Sequence, residues 1–111
     1  MRAVFDDRRG ELAFESLFPG VVRPSLLVSG LDAIVRDCAS PRQPVHKRLD
    51  RRRAQVAGAI RRGDWWLVVT IRGRNHGYAV QRALNLVNDL FLFLHESHPE
   101  YLIERFGLSP E

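Results

Sequence analysis

The fold is decided by residues 54–71, AQVAGAIRRGDWWLVVTI, in which two β-strand patterns flank a short turn. We predict strands at Ala54–Ile60 and Trp65–Ile71, with Arg62 and Gly63 at the tip of a hairpin. Apolar residues occupy both faces of the second strand, which is typical of a strand inside a sheet. The first strand is rich in small residues, which leave space beside the tryptophans.

The first part of the chain repeats this pattern. Strands are predicted at Ala3–Phe5 and Leu12–Leu17, and Gly10 supplies the turn between them. The segments RRGEL at 8–12 and RRGDW at 61–65 lie 53 positions apart, and each precedes a helical pattern. We therefore predict an α+β domain built from two ββα-like units, with an antiparallel sheet of about four strands and two helices on one face.

The predicted single domain covers residues 1–111, with a first half at 1–41, a basic linker at 42–52 and a second half at 53–108. Residues 25–39 show the spacing of an amphipathic helix, with Ser25 as a start signal. A longer helix is predicted at 78–95, because apolar residues fill about half of its circumference and fit against a sheet.

Leu92 breaks the pattern of the long helix, because it lies in the middle of the polar arc beside Asn85, Asn88 and Glu96. One interpretation is that the C-terminal helix covers Leu92 or that the residue is simply exposed. The alternative is a subunit contact at Leu92, with Asn85 and Asn88 at its polar margin.

A short final helix is predicted from its end signals. Ser97 and Glu100 have the spacing of a capping box, and Pro99 fits the first turn. Gly107 is placed to end the helix in a left-handed conformation, and Leu108 could then contact Ile103.

Positive charge is concentrated in the middle of the chain. Residues 42–74 carry ten basic residues against two acidic ones, a net charge of +8, whereas 1–41 and 75–111 have net charges of −1 and −3. In the predicted hairpin, Arg53 lies near Arg72 and Arg51 near Arg74. Such like charges destabilise neighbouring strands unless acids, a partner or phosphate offset them.

The arginine-rich hairpin is therefore a candidate site for anions or nucleic acid. The candidate residues are Arg51, Arg53, Arg61, Arg62, Arg72 and Arg74, with Trp65 and Trp66 available to stack a base. The simpler interpretation is a solvated basic edge with tryptophans in the core. No zinc-finger or RNA-recognition signature accompanies the arginines.

Histidines suggest a metal site only weakly. His95 and His98 are three residues apart, whereas a helical metal pair needs four. If a metal binds, His95, His98 and Glu100 are its ligands; otherwise no metal and no cofactor is predicted. No serine or cysteine nucleophile set is evident, so an enzyme is not the favoured interpretation.

These observations favour a cytoplasmic, non-enzymatic interaction protein that is a homo-oligomer or binds an acidic protein. The single cysteine, Cys38, excludes an internal disulfide, and no membrane span or signal-peptide core is predicted. The alternatives are an RNA- or DNA-binding module that uses the arginine-rich hairpin, and a small enzyme or metal protein centred on His76, His95 and His98.

Overall fold

The computed structural model of this chain describes residues 2–22 and 25–107. It contains four strands and three helices in the order ββαββαα. Their bounds are β1 (Arg2–Asp6), β2 (Glu11–Phe18), α1 (Leu26–Asp37), β3 (Ala54–Arg61), β4 (Asp64–Ile71), α2 (His76–Ser97) and α3 (Pro99–Phe106). The prediction of an α+β fold with a four-stranded antiparallel sheet, two longer helices and a short C-terminal helix is confirmed.

The sheet has the strand order β1-β2-β4-β3. Both hairpins are antiparallel, and β2 joins them by pairing with β4. The predicted internal position of β4 is confirmed, and β1 and β3 are the edge strands. Arg62 and Gly63 have φ values of +54° and +80°, as required in the two-residue turn that matches the twist of a hairpin.

The core lies between the sheet and the helices. Along β4 the side chains of Trp65, Leu67, Val69 and Ile71 are buried, because alternate residues of a strand face the same side. The helix α2 contributes Ala79 and Ala83 at its start and larger residues, Leu86, Leu90 and Leu94, farther along. The helix α1 contributes Val28, Leu31 and Val35.

A bulge near the end of β2 was not predicted. The register of β2 against β4 shifts between Phe14 and Phe18, and Ser16 has a φ of +50°. The Asp64 carboxylate stabilises this segment by accepting hydrogen bonds from Ser16 Oγ at 2.8 Å and from the Gly20 backbone N–H at 2.9 Å. Asp64 therefore ties the end of β2 to the start of β4.

The helix ends agree only in part with the sequence signals. Ser25 caps α1, because its Oγ accepts a hydrogen bond from the Val28 N–H. The predicted capping box of α3 is wrong: Ser97 is the last residue of α2, and His98 occupies the N-cap without a side-chain cap. The backbone of α2 continues past the predicted break, since the His98 N–H still donates to Leu94 O.

At the other end of α3, Gly107 adopts a left-handed conformation with a φ of +64°, and its N–H donates to Ile103 O. The prediction that this glycine ends the helix is confirmed. The predicted contact of Leu108 with Ile103 lies outside the described residues.

The basic linker, 42–52, is more ordered than a solvated connection. Its backbone forms turns, and the Leu49 N–H donates to Cys38 O at 2.9 Å. The Leu49 side chain is buried in the core, and the Arg48 guanidinium donates to the carbonyl oxygens of Pro41 and Gln43. No helix in the described part of the chain is both long enough and apolar enough to cross a membrane.

Gly30 sets the distance between α1 and α2. A Cβ at this position would overlap the ring of Phe93 in α2. We expect Gly30→Ala to lower the free energy of unfolding by about 1–3 kcal/mol through overpacking, although alanine is the better helix former.

Gly77→Ala is the matched control, because no atom lies near a Cβ added in the first turn of α2. We expect this substitution to be neutral or to stabilise by up to about 1 kcal/mol. Urea denaturation followed by circular dichroism measures both effects. Equal stabilisation by the two alanines would contradict the proposed close approach of Gly30 and Phe93.

Candidate functional site

The predicted basic residues of the β3–β4 hairpin form two separate groups. Arg61 and Arg62 lie at the tip, where Arg61 pairs with Asp64 in the strand register. At the open end the Arg72 N–H donates to Arg53 O at 3.0 Å, so the predicted proximity of these two residues is confirmed. An eight-residue strand separates the two ends, a distance of about 26 Å.

Arg53 is held in place at the open end. Its Nε donates to Asn75 Oδ1 at 3.0 Å, and its guanidinium lies 3.8 Å from the centre of the Tyr78 ring. Arg82 approaches the same ring at 5.1 Å. Tyr78 therefore contacts two cations, and Arg53 is less available to a ligand than its position in the sequence indicates.

The other predicted cations of the open end, Arg51, Arg72 and Arg74, are exposed. Within 2–22 and 25–107 the ion pairs join Arg2 to Glu15, Arg9 to Asp6 and Arg52 to Asp50. None of these pairs neutralises the three exposed arginines. The open end thus presents positive charge to solvent.

The two tryptophans have different environments. Trp65 is 0% exposed and its indole Nε1–H donates to Asp32 Oδ1 at 3.1 Å, so it cannot stack on a base as predicted. Trp66 points to the opposite side of β4 and is partly exposed. The Arg61 guanidinium lies 4.7 Å from its ring centre, which leaves Trp66 as the accessible aromatic residue of the pair.

The histidines of the predicted metal site contact aromatic rings. His98 lies between α2 and α3 with its ring centre 5.4 Å from that of Phe93, and His76 contacts Phe5 in the same edge-on manner at 5.5 Å. Across the described ranges, no group of three or more His, Cys, Asp or Glu side chains could hold a metal ion. His95, His98 and Glu100 therefore do not form a ligand set.

Among residues 2–22 and 25–107, three groups have clearly perturbed pKa values. Burial raises the pKa of the Cys38 thiol to about 11, which keeps it protonated and weakly nucleophilic at neutral pH. Burial also raises the pKa of Tyr101 to about 12; its hydroxyl donates to Pro19 O. The hydrogen bond from Gly20, followed by that from Ser16, lowers the pKa of Asp64. Tyr101 and Asp64 thus have hydrogen-bond partners that connect distant segments of the fold.

A groove between α1 and the free edge of β3 was missed by sequence reasoning. Its volume is about 540 Å³. Asp32 and Arg36 of α1 line one side, Arg51 lies at one end, and the backbone of β3 forms the other side. The small residues Ala57, Gly58 and Ala59, noted as leaving space beside the tryptophans, are the sequence signal that could have identified it.

The outer surface of α2 carries the predicted interface. Leu92 is 50% exposed, so the C-terminal helix does not cover it. Val80 and Leu84 are 40% and 55% exposed although they belong to the apolar half of the helix. These two residues, Asn88 and Leu92 follow one another at intervals of four, and we call this set the outer ridge.

The polar margin of the outer ridge borders a depression. Asn85 and Asn88 line it together with Asp89 from α2 and His46 and Lys47 from the 42–52 segment. At the first turn of α2, Phe5 extends the apolar surface, since it is 44% exposed and contacts His76. The predicted interface residues thus lie on a larger exposed surface.

No protein-family model, no curated protein sequence and no solved structure matches this chain. The function is therefore inferred from the geometry of three surfaces: the outer ridge, the open end of the β3–β4 hairpin and the groove.

The pKa of Asp64 predicts a specific pH dependence of stability. Because its pKa in the folded protein is lower than the ordinary value of 3.8, its stabilising contribution is complete above that value. The contribution is lost as the pH falls through the lowered pKa. We expect the stability difference between the wild type and Asp64→Asn to be constant near neutral pH and to shrink below about pH 3.8.

Urea midpoints measured at several pH values between about 7 and 2.5 test this expectation. Ser16→Ala removes one hydrogen-bond donor to the Asp64 carboxylate. The stabilising contribution of Asp64 should then be lost at a higher pH than in the wild type. A difference between wild type and Asp64→Asn that does not change over this range would show that the carboxylate is not stabilised by these hydrogen bonds.

Proposed function

We propose that this chain is a small, non-enzymatic interaction protein that self-associates through the outer ridge of α2. The main support is the exposure of Val80, Leu84 and Leu92, which are between 40% and 55% accessible. Exposed apolar side chains that lie along one helix face, here interrupted only by Asn88 within the outer ridge, are typical of protein interfaces. Asn88 within the outer ridge and Asn85 beside it would supply polar contacts.

The spacing of the outer ridge suits helix packing. Residues four apart form a ridge that packs into the groove between two ridges of a second helix. Two copies of this chain present the same ridge, so a two-fold axis would make the contact self-complementary. An antiparallel arrangement would place Val80 of one copy near Leu92 of the other, with Leu84 and Asn88 near the axis.

The charges at the two ends of α2 favour the antiparallel orientation. Arg72 and Arg74 precede the helix, whereas Glu96, Glu100 and Glu104 lie at its end and in α3. Antiparallel packing brings the basic end of one copy towards the acidic end of the other, and parallel packing brings like charges together. In an antiparallel pair the two helix dipoles point in opposite directions and attract each other, which also favours this orientation.

Replacing Leu92 with aspartate tests this function directly. We expect Leu92→Asp to weaken dimerisation by at least about tenfold, because each dimer would then bury two unpaired carboxylates at the interface. Sedimentation equilibrium over a range of protein concentrations measures the effect. Leu26→Asp is the matched control, since Leu26 is 83% exposed at the start of α1 and should leave the dimer unchanged.

A charge exchange tests the orientation. Arg74→Glu and Glu96→Arg should each weaken association, and the double variant should recover it, because the pair would attract with reversed signs. A wild-type protein that stays monomeric at about 1 mM, or a Leu92→Asp dimer as stable as the wild type, would refute self-association through the outer ridge.

The open end of the hairpin supports a second candidate function. Arg51, Arg72 and Arg74 are exposed there, and none of them takes part in an ion pair within the described residues. Guanidinium groups arranged in this way suit phosphate oxygens. Here the chain would be an RNA- or DNA-binding module, with a positively charged surface at the end of the sheet.

Nucleic-acid binding predicts a steep dependence on salt, because phosphate contacts release counterions. Fluorescence anisotropy with a 20-nucleotide RNA and a DNA duplex should show binding near 10 mM salt that weakens as salt increases, with a smaller slope for Arg72→Ala/Arg74→Ala than for wild type. Arg42→Ala, an exposed arginine of the linker, is the control. Absence of binding at the lowest salt concentration would exclude this function.

A further inference from the structure

The free edge of β3 borders the groove identified above. Because β3 is an edge strand that pairs with β4 on one side, part of its backbone has no strand partner. The groove continues from this edge to α1 and has a volume of about 540 Å³. This size falls within the range of sites that take a small ligand or a few side chains of a peptide.

The hydrogen-bond pattern identifies the backbone groups at the free edge. Arg53 and Arg72 form a hydrogen-bonded pair, and such pairs alternate along an antiparallel ladder with pairs whose N–H and C=O groups point outwards. The groups of Val56, Gly58 and Ile60 therefore point away from β4. The bond from the Ala54 N–H to Asp50 O, outside the ladder, agrees with this alternation.

The edge is well suited to strand addition. Val56, Gly58 and Ile60 also line the groove, and no hydrogen bond from another described residue reaches their backbone groups. The strand contains no proline and no lysine, the residues that natural proteins place on edges to block pairing. Its central small residues leave the backbone accessible to a second extended chain.

The floor of the groove is preorganised by a buried interaction. A Cβ on residue 58 would overlap both the Trp65 ring and the Asp32 carboxylate, so glycine permits Trp65 to cross beneath β3. The Trp65 N–H then occupies the Asp32 carboxylate. This hydrogen bond occupies one oxygen of the Asp32 carboxylate and orients it without neutralising it, so the groove is lined by one acid and two arginines, Arg36 and Arg51.

The charged residues that line the groove are net positive, because Arg36 and Arg51 outnumber Asp32. Arg36 lies on the α1 side and Arg51 at one end, and Arg61 and Arg62 lie at the tip of the hairpin. Among residues 2–22 and 25–107, none of these four forms an ion pair. A bound segment with acidic residues near its ends would complement this charge distribution.

A second copy of β3 does not complement it. Antiparallel pairing of two β3 edges would bring the end that contains Arg61 and Arg62 beside the end of the other strand that contains Arg51 and Arg53. Like charges at neighbouring positions destabilise a ladder. The charge distribution therefore favours an acidic segment of a different protein over self-pairing at this edge.

We propose that the groove between α1 and β3 is a peptide-binding site that takes an extended acidic segment of a partner protein by strand addition to β3. Hydrogen bonds to the backbone of Val56, Gly58 and Ile60 hold the segment. Alternate side chains of the segment enter the groove, and its acidic residues contact Arg36 and Arg51. This site is separate from the outer ridge, so it operates in a monomer or in a dimer.

Selection from a random eight-residue peptide library displayed on phage, with the full chain as bait, supplies the probe. We expect the selected peptides to combine acidic residues near the ends with alternating apolar residues. The consensus peptide, labelled with fluorescein, is then titrated with the protein. A version with lysine in place of each acidic residue should bind at least about tenfold more weakly.

Two variants test the location of the site. Arg36→Glu/Arg51→Glu should weaken binding of the consensus peptide by at least about tenfold. The control Arg8→Glu/Arg9→Glu makes the same charge change in the β1–β2 turn and should alter the affinity by less than about twofold. Circular dichroism of each variant confirms that it is folded.

Backbone amide exchange measured by NMR tests the binding mode. The peptide should protect the amides of Val56, Gly58 and Ile60, which point outwards in the free protein. The proposal would be overturned if the selected peptides were not enriched in acidic residues, or if the two charge reversals had equal effects on affinity. Unchanged exchange rates at these amides on addition of the peptide would also overturn it. If these amides became protected as the protein concentration rises without peptide, the edge of β3 would pair with a second copy of the chain. This result would overturn the proposal as well.

Discussion

The indole of Trp65 connects β4 to both neighbouring strands and to α1. This side chain is fully buried, and its ring centre lies 5.7 Å from that of Phe18 in β2. On the other side it packs against Gly58 of β3. Its N–H donates to Asp32 of α1, which satisfies the polar atom of a side chain that is 0% exposed. Because one side chain contacts both neighbouring strands and a helix, the positions of α1 and β3 depend on it.

This arrangement explains why a groove exists at one edge of the sheet. Gly58 has no side chain that would overlap the Trp65 ring. The small residues beside Gly58 leave the edge of β3 uncovered. The helix α1 packs over the strand but is held at a distance that the Asp32–Trp65 hydrogen bond and the Gly30–Phe93 contact define. The same packing that stabilises the core therefore leaves an accessible backbone edge.

The two proposed binding surfaces use different forces. The outer ridge presents apolar side chains from one long helix, where burial of area would supply most of the affinity. The groove presents unpaired backbone groups and surrounding arginines, where hydrogen bonds and charge would select the partner. The hairpin distributes the central positive charge to its two ends, and the acidic C-terminal part of the chain lies on another element. Self-association and capture of an acidic segment are thus compatible.

The sequence by itself determined the strands, the helices and the α+β class with its antiparallel sheet. Alternation of apolar residues identified both hairpins, and the two-sided apolar pattern placed β4 inside the sheet. The predicted turn at Arg62 and Gly63 set the register of β3 against β4. These features depend on local chain geometry and on period, which a single sequence contains. The place of Leu92 on the polar side of α2 was also apparent, because it follows from the helical angle alone, but only the structure shows that the C-terminal helix leaves it exposed.

Only the tertiary structure decided which side chains are available. Trp65 and Trp66 are adjacent in sequence, yet one is buried and the other lies on the opposite face, since the side that the helices cover is set by packing between distant segments. The contact of Arg53 with Tyr78, the bulge at Ser16 held by Asp64, and the groove beside Asp32 all join residues far apart in the chain. Local propensity contains no information on such contacts, because their energy depends on the distances that the folded core imposes.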